Sequence, residues 1–133
     1  MSQLKKSKRP LTPYNLFYRF KRGMILNACS IDNNPGRDTI RKLVEAPPGL
    51  EAFTESELRA LHPKDIFAIS RDIITHELKD NLLPFEGKRS HRKTHGALGF
   101  VEMNRVMCSQ WKTLDASIKS VFQELADQGK LLY

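Results

Sequence analysis

"KRPLTPYNLFYRF", residues 8–20, sets the cations Lys8, Arg9 and Arg19 among four rings, Tyr14, Phe17, Tyr18 and Phe20. At its centre, Thr12 followed by Pro13 reads as a helix start. A threonine hydroxyl accepts from the first free N–H groups, and proline at the first helical position gives up a donor that had no partner anyway. Tyr14, Phe17, Phe20 or Lys21, and Met24 or Ile25 then recur every three to four residues, which is one face of a helix. "DNNPG" at 32–36 is a breaker.

The charge around this stretch is unevenly spread. Of 133 residues, 22 are Lys or Arg and 15 are Asp or Glu, for a net charge of +7. Residues 1–22 carry seven cations and no acid, and "KRSHRKTH", residues 88–95, adds four more with no acid. The rest of the chain holds 11 cations against 15 acids, a mildly acidic body with two basic patches. A polyanion is the natural partner for such patches, nucleic acid first and an anionic membrane surface second. Two solvated basic segments that bind nothing remain the plain alternative. No apolar run approaches the ~18 residues of a membrane span. The cationic N-terminus lacks the apolar stretch of a signal peptide. Two distant cysteines, Cys29 and Cys108, suit a reducing compartment better than a disulfide scaffold, although one pairing stays open.

Beyond the first helix the pattern stays helical. "RDTIRKLVEA" reads as a short helix ended by Pro47, Pro48 and Gly49. Thr54 stands three residues before Glu57, a capping-box spacing. Pro63 opens a further helix with an apolar stripe at Ile66, Ile69 or Ser70, Ile73, and Leu78 or Glu77. "GFVEMNRVMCSQWKTL" puts Phe100, Met103, Met107, Gln110 or Trp111, and Leu114 on one face. Asp115 is a good N-cap for a last helix, with Ile118, Phe122, Leu125 and Leu132 or Tyr133 expected to face inward. No segment alternates with a period of two, so an all-α protein in a single domain is expected.

"KRPLTPYNLFYRFKR", residues 8–22, resembles the N-terminal arm and first helix of an HMG box. "GFVEMNRVMCSQWKTLDASIKSVFQELADQGKLLY", residues 99–133, is similar to the second and third helices of that fold. The matching elements are Lys-Arg-Pro at the start, the pair Tyr14 and Phe17, Trp-Lys-x-Leu at Trp111, Phe-x-x-Leu-Ala at Phe122, and Tyr133. The resemblance implies an L-shaped three-helix fold with residues 1–9 as a basic arm, 10–23 as helix 1 and 96–133 as helices 2 and 3. It departs from the family between the halves. From Arg22 to Phe100 the chain runs 78 positions, far more than is usual, so residues 24–90 are expected to be a helical insertion that the box core does not need.

The resemblance also implies a function. HMG boxes enter the DNA minor groove and wedge apolar side chains between base pairs, accepting unstacking in exchange for bent DNA that meets more protein. Lys8 and Arg9 fall where the arm meets phosphate. Thr12 falls where boxes of low sequence preference have serine; it contacts DNA, caps helix 1, or does both. Tyr14 matches a groove-facing position, and Asn15 falls where many boxes carry their first wedge. An amide is a poor intercalator, because stacking leaves its polar atoms without partners. Phe100, eleven residues before Trp111, matches the second wedge, with core packing as the alternative. Arg19, Arg92, Lys93 and Asn104 complete the expected DNA contacts. Phe17, Trp111 and Phe122 match the core.

The implied protein is a monomeric, nuclear, chromatin-associated DNA-bending factor with little sequence preference, no catalysis and no cofactor. A protein-interaction module docking a partner through residues 24–90, and a sequence-specific transcription factor, are the competing readings. His91 and His95 stand four apart, a zinc-capable spacing, but no further ligand lies near them in sequence, so no metal is expected. Cys108 is expected to be a buried or half-buried thiol without a catalytic role.

Overall fold

Thr12 and Asn15 close a reciprocal cap at the first helix. The Asn15 amide N–H donates to Thr12 Oγ1, and the Thr12 N–H donates to Asn15 Oδ1, both at 3.1 Å. This uses an asparagine amide where a capping box has Glu or Gln, and it satisfies two free donors at once. The computed structural model describes residues 10–31, 36–84 and 100–133, with the backbone alone described for 28–31 and Phe100. The described residues form six helices and no strand, the all-α class expected.

Helix α1 (Pro13–Ile31) runs well past the expected end at residue 23. Gly23 is exposed and costs a helix only about 1 kcal/mol. Ile25, fully buried two positions later, offsets that cost. Helix α2 (Arg37–Glu45) buries Ile40 and Val44. Helix α3 (Glu55–Arg59) carries the full capping box at Thr54 and Glu57. Helix α4 (Pro63–Leu78) starts with proline after the cap residue His62, whose Nδ1 accepts from Lys64 N. Its buried face is Ser70, Ile74 and Leu78. The expected stripe through Ile66 and Ile73 is only half-buried, because this helix is apolar on two faces and periodicity alone could not choose between them.

Helix α5 (Phe100–Thr113) turns Met103 and Met107 inward. Helix α6 (Ala116–Leu132) is capped by Asp115, which accepts from Ser117 N, and it buries Val121, Phe122, Leu125 and Ala126. Leu132 and Tyr133, expected inside, are exposed. The last buried position on this helix is Gly129, where an added Cβ would stand 2.9 Å from the Leu82 carbonyl oxygen. The turn beyond it runs past the core.

Helix α1 packs against α2, α4, α5 and α6, while α2 lies on α5 and α4 on α6. Residues 24–90, expected as an insertion that the box core does not need, contribute side chains to that core. Ile25, Ile40, Val44, Ile74, Leu78 and Leu82 belong to the same buried cluster as Leu16, Phe17, Phe20 and Phe122. An apolar face at helical period has to be buried somewhere, and α1 presents such faces on more than one side.

Lys21 is a second case. It counts with the basic N-terminal stretch in the sequence, yet its side chain is fully buried. Its ammonium donates to Glu51 Oε2 at 2.8 Å, to the Leu43 carbonyl at 2.9 Å, and to the Ala46 carbonyl. Gln110 of α5 donates to the carbonyls of Glu45 and Ala46 at 2.8 and 2.7 Å. The C-terminal carbonyls of α2, which a helix leaves unpaired, thus take donors from α1 and from α5.

Candidate nucleic-acid interface

At the junction of α1, α5 and α6 the rings pack in tilted and edge-to-face pairs. Phe17 lies 5.3 Å from Trp111 and 5.7 Å from Phe122, and Tyr14 lies 5.9 Å from Trp111. Phe17 and Phe122 are fully buried, as expected of core residues. Trp111 is half-buried, with the Lys119 ammonium 5.5 Å from its ring centroid. Tilted and T-shaped pairs at such distances add about 0.5–1.5 kcal/mol each beyond area burial. The cluster joins α1, α5 and α6 through one set of rings.

Beside the cluster lies a groove of about 1450 Å³. Tyr14, Asn15, Tyr18, Arg19 and Arg22 of α1 line one side, Asn104 and Cys108 of α5 a second, and the segment from Glu77 to Pro84 forms a third. The Tyr14 hydroxyl and Cys108 Sγ are 3.3 Å apart, bridging α1 to α5. Partial burial, reinforced by this contact, holds the Tyr14 phenol well above the usual tyrosine range. Cys108 is exposed, not the buried or half-buried thiol expected from the sequence, because it lies on the groove side of α5 and not on the Met103–Met107 face.

Four of the sequence-derived contact residues, Tyr14, Asn15, Arg19 and Asn104, thus meet in one groove although α1 and α5 are far apart in the chain. Thr12 is exposed at the start of α1. Asn15 and Thr12 are both engaged in the helix cap, and Arg19 Nη1 donates to the carbonyls of Asn81 and Leu83 at 2.6 and 2.9 Å. Arg19 thereby ties the third wall to α1. Phe100 opens α5, but the role of its side chain as a wedge lies outside the described residues. Lys8, Arg9, Arg92, Lys93 and the pair His91 and His95 also lie outside them.

Sequence reasoning missed Tyr18, Arg22 and the wall from Glu77 to Pro84. The spacing Asn15, Tyr18, Arg22 was a visible signal, since those positions share a helix face adjoining the buried one. The wall had no signal, because its place depends on α4 packing against α6. Among the described residues no group of His, Cys, Asp or Glu could hold a metal ion, and no helix is long and apolar enough to cross a membrane. Fold and groove together define an all-helical protein with a ring-and-amide-lined, partly cationic cleft. No protein-family model, curated protein or solved structure matches the chain.

Proposed function

We propose that this chain is an HMG-box-like protein that binds double-stranded DNA in the minor groove, with little sequence preference, and bends it. One observation carries the reading: Tyr14, Asn15 and Asn104, picked out separately as DNA contacts, line one open groove held by the Phe17–Trp111–Phe122 cluster. Both helices that form the groove follow acid-free basic stretches in the sequence, 1–9 before α1 and 88–95 before α5. In this reading the cations meet phosphate while amides and rings meet the shallow edge of the groove. Monomeric action in the nucleus belongs to the same proposal, and no catalytic step does.

A second reading is favoured by a specific observation. Glu77 and Asp80 stand on the third wall of the groove, and Arg19 and Lys21 are occupied within the fold. Acids beside a groove repel phosphate, which suits a protein partner docking on the α4 side.

Fluorescence anisotropy against linear, pre-bent and four-way-junction DNA, at 50 and 200 mM salt, separates the two. DNA binding through about six phosphates predicts an affinity loss of ~10³ or more across that salt range. It also predicts tighter binding to the junction than to the linear duplex. Absent or salt-insensitive binding favours the protein partner.

A further inference from the structure

The segment that leaves the last turn of α4 is gripped from two sides. Arg19 Nη1 of α1 donates to the carbonyls of Asn81 and Leu83 at 2.6 and 2.9 Å. The carbonyl between them, that of Leu82, approaches α6 so closely that a Cβ added at Gly129 would stand 2.9 Å from its oxygen. The Leu82 side chain is buried in the core. Three successive carbonyls thus meet α1, α6 and α1 again, and the segment is held between the two helices. Just before it, Asn81 Nδ2 donates to the Glu77 carbonyl at 3.4 Å and closes the turn. Glu77, Lys79 and Asp80 line the groove from this wall, and all three are exposed. Two carboxylates against one ammonium leave the wall anionic.

We infer that this wall is an electrostatic fence. Glu77 and Asp80 keep backbone phosphate off the α4 side of the groove, so that a bound duplex lies toward α1 and α5, and Arg19 is the positioning residue that holds the fence in place. The inference rests on the DNA-binding reading above and gives the two acids a part in it. A surface selects one pose by repelling the others as well as by favouring the right one, and like charges side by side are a means of repelling. A carboxylate repels effectively only where its backbone cannot move away, and the grip on residues 81–83 supplies that restraint. Arg19 acts through the wall and not as a phosphate contact, because its guanidinium is turned to the carbonyls of Asn81 and Leu83.

The test is a fluorescence-anisotropy titration of the full chain on a linear duplex at salt concentrations from 50 to 200 mM. It compares wild type, Glu77→Gln/Asp80→Asn, Arg19→Gln, and the variant that combines all three changes, with a thermal melt of each to check the fold. Neutralising the two acids should tighten binding by up to about tenfold at 50 mM salt and by less at 200 mM, since salt screens the repulsion. Arg19→Gln should change the log–log salt slope by much less than the ~0.9 that a lost phosphate contact removes. In the Arg19→Gln background the gain from neutralising the acids should shrink to about twofold or less, whereas independent sites would add and keep it whole. Arg19→Lys keeps a donor for the carbonyls and should retain most of the gain; it carries the comparison if Arg19→Gln does not fold. A wild type that binds, with no tightening in Glu77→Gln/Asp80→Asn, overturns the fence and leaves the DNA-binding reading standing. A full gain in the combined variant, or a slope loss near 0.9 in Arg19→Gln, overturns the role of Arg19. A wild type that does not bind DNA overturns both readings.

Discussion

Lys21 Nζ lies 2.8 Å from Glu51 Oε2, joining the middle of α1 to the turn before α3 with 0 and 5 % of the two side chains exposed. Burial lowers the affinity of the ammonium for its proton and raises that of the carboxyl, and the attraction between them opposes both shifts. Glu51 Oε1 also accepts from the Gly49 N–H at 2.9 Å, so each charged group is hydrogen-bonded more than once. Removing one partner strands the other.

Lys21→Met is therefore expected to cost about 3–5 kcal/mol, because an uncompensated carboxylate is left in the core. The double variant Lys21→Met/Glu51→Met should recover most of that loss. Urea unfolding of the three proteins in a double-mutant cycle measures the coupling. A loss below about 1 kcal/mol for Lys21→Met, the size of a surface pair, would count against a buried lock.

Gly49 bears on the same turn. Its φ is +87°, and a Cβ there would stand 2.9 Å from the Ser70 carbonyl oxygen on α4, while Ser70 Oγ donates to the Pro48 carbonyl at 2.5 Å. Gly49→Ala meets both the conformational strain and the clash. Destabilisation of about 1–3 kcal/mol or more is expected by chemical denaturation. Gly23→Ala is the control, for nothing lies within 4 Å and a helix gains up to about 1 kcal/mol there.

Deleting residues 24–90 and closing the gap with a short linker removes Ile40, Val44, Ile74, Leu78 and Leu82 from the core together with the Lys21–Glu51 pair. Loss of ordered tertiary structure is expected, seen as loss of a cooperative thermal transition. A truncated protein that still melts cooperatively would mean that 10–23 and 96–133 suffice.

How much of this was legible in the sequence follows the kind of interaction involved. Local signals read correctly: Thr12–Pro13, Thr54 with Glu57, Pro63 and Asp115 each start or cap a helix, because a cap depends on residues within one turn. The groove was half legible, since Tyr14, Asn15 and Asn104 were named without knowing that they meet. Lys21 stood only as an alternative to Phe20 on the inner face, because its partner Glu51 lies 30 residues away and a lone cation in an apolar stripe carries no mark of burial. The wall from Glu77 to Pro84 rests on packing between helices, which periodicity does not encode.

The Tyr14 phenol gives a pH test. Its proton affinity is raised in the folded state, so the folded protein holds that proton at a pH where the unfolded chain gives it up. The stabilisation is fully present below the ordinary tyrosine value of 10.0 and is lost as pH rises above it. Melting temperature in wild type should fall above pH 10 more steeply than in Tyr14→Phe. Parallel curves would show that neither burial nor the contact with Cys108 raises the proton affinity of Tyr14.

Trp111 is the sole tryptophan and sits against Tyr14, Phe17 and Phe122. Trp111→Phe should keep the fold at a cost, while Trp111→Ala should lose about 3–5 kcal/mol and with it most of a small domain's stability. Circular dichroism melts compare the two. Equal stability of both variants would show that the aromatic ring at 111 contributes little to holding the fold together.

The most direct test of the DNA-bending account is the end-to-end FRET of a doubly labelled linear duplex, with wild type and Phe100→Ala, alongside the melting temperature of each protein. The account predicts a sharp rise in transfer with wild type. Phe100→Ala should remove most of that rise while linear-duplex affinity falls less, because Lys8, Arg9, Arg92 and Lys93 are untouched. Transfer that stays at the value of free DNA under saturating wild-type protein would contradict the central claim. A Phe100→Ala protein that loses about 3 kcal/mol of stability yet bends DNA as before would assign that ring to packing and not to the wedge.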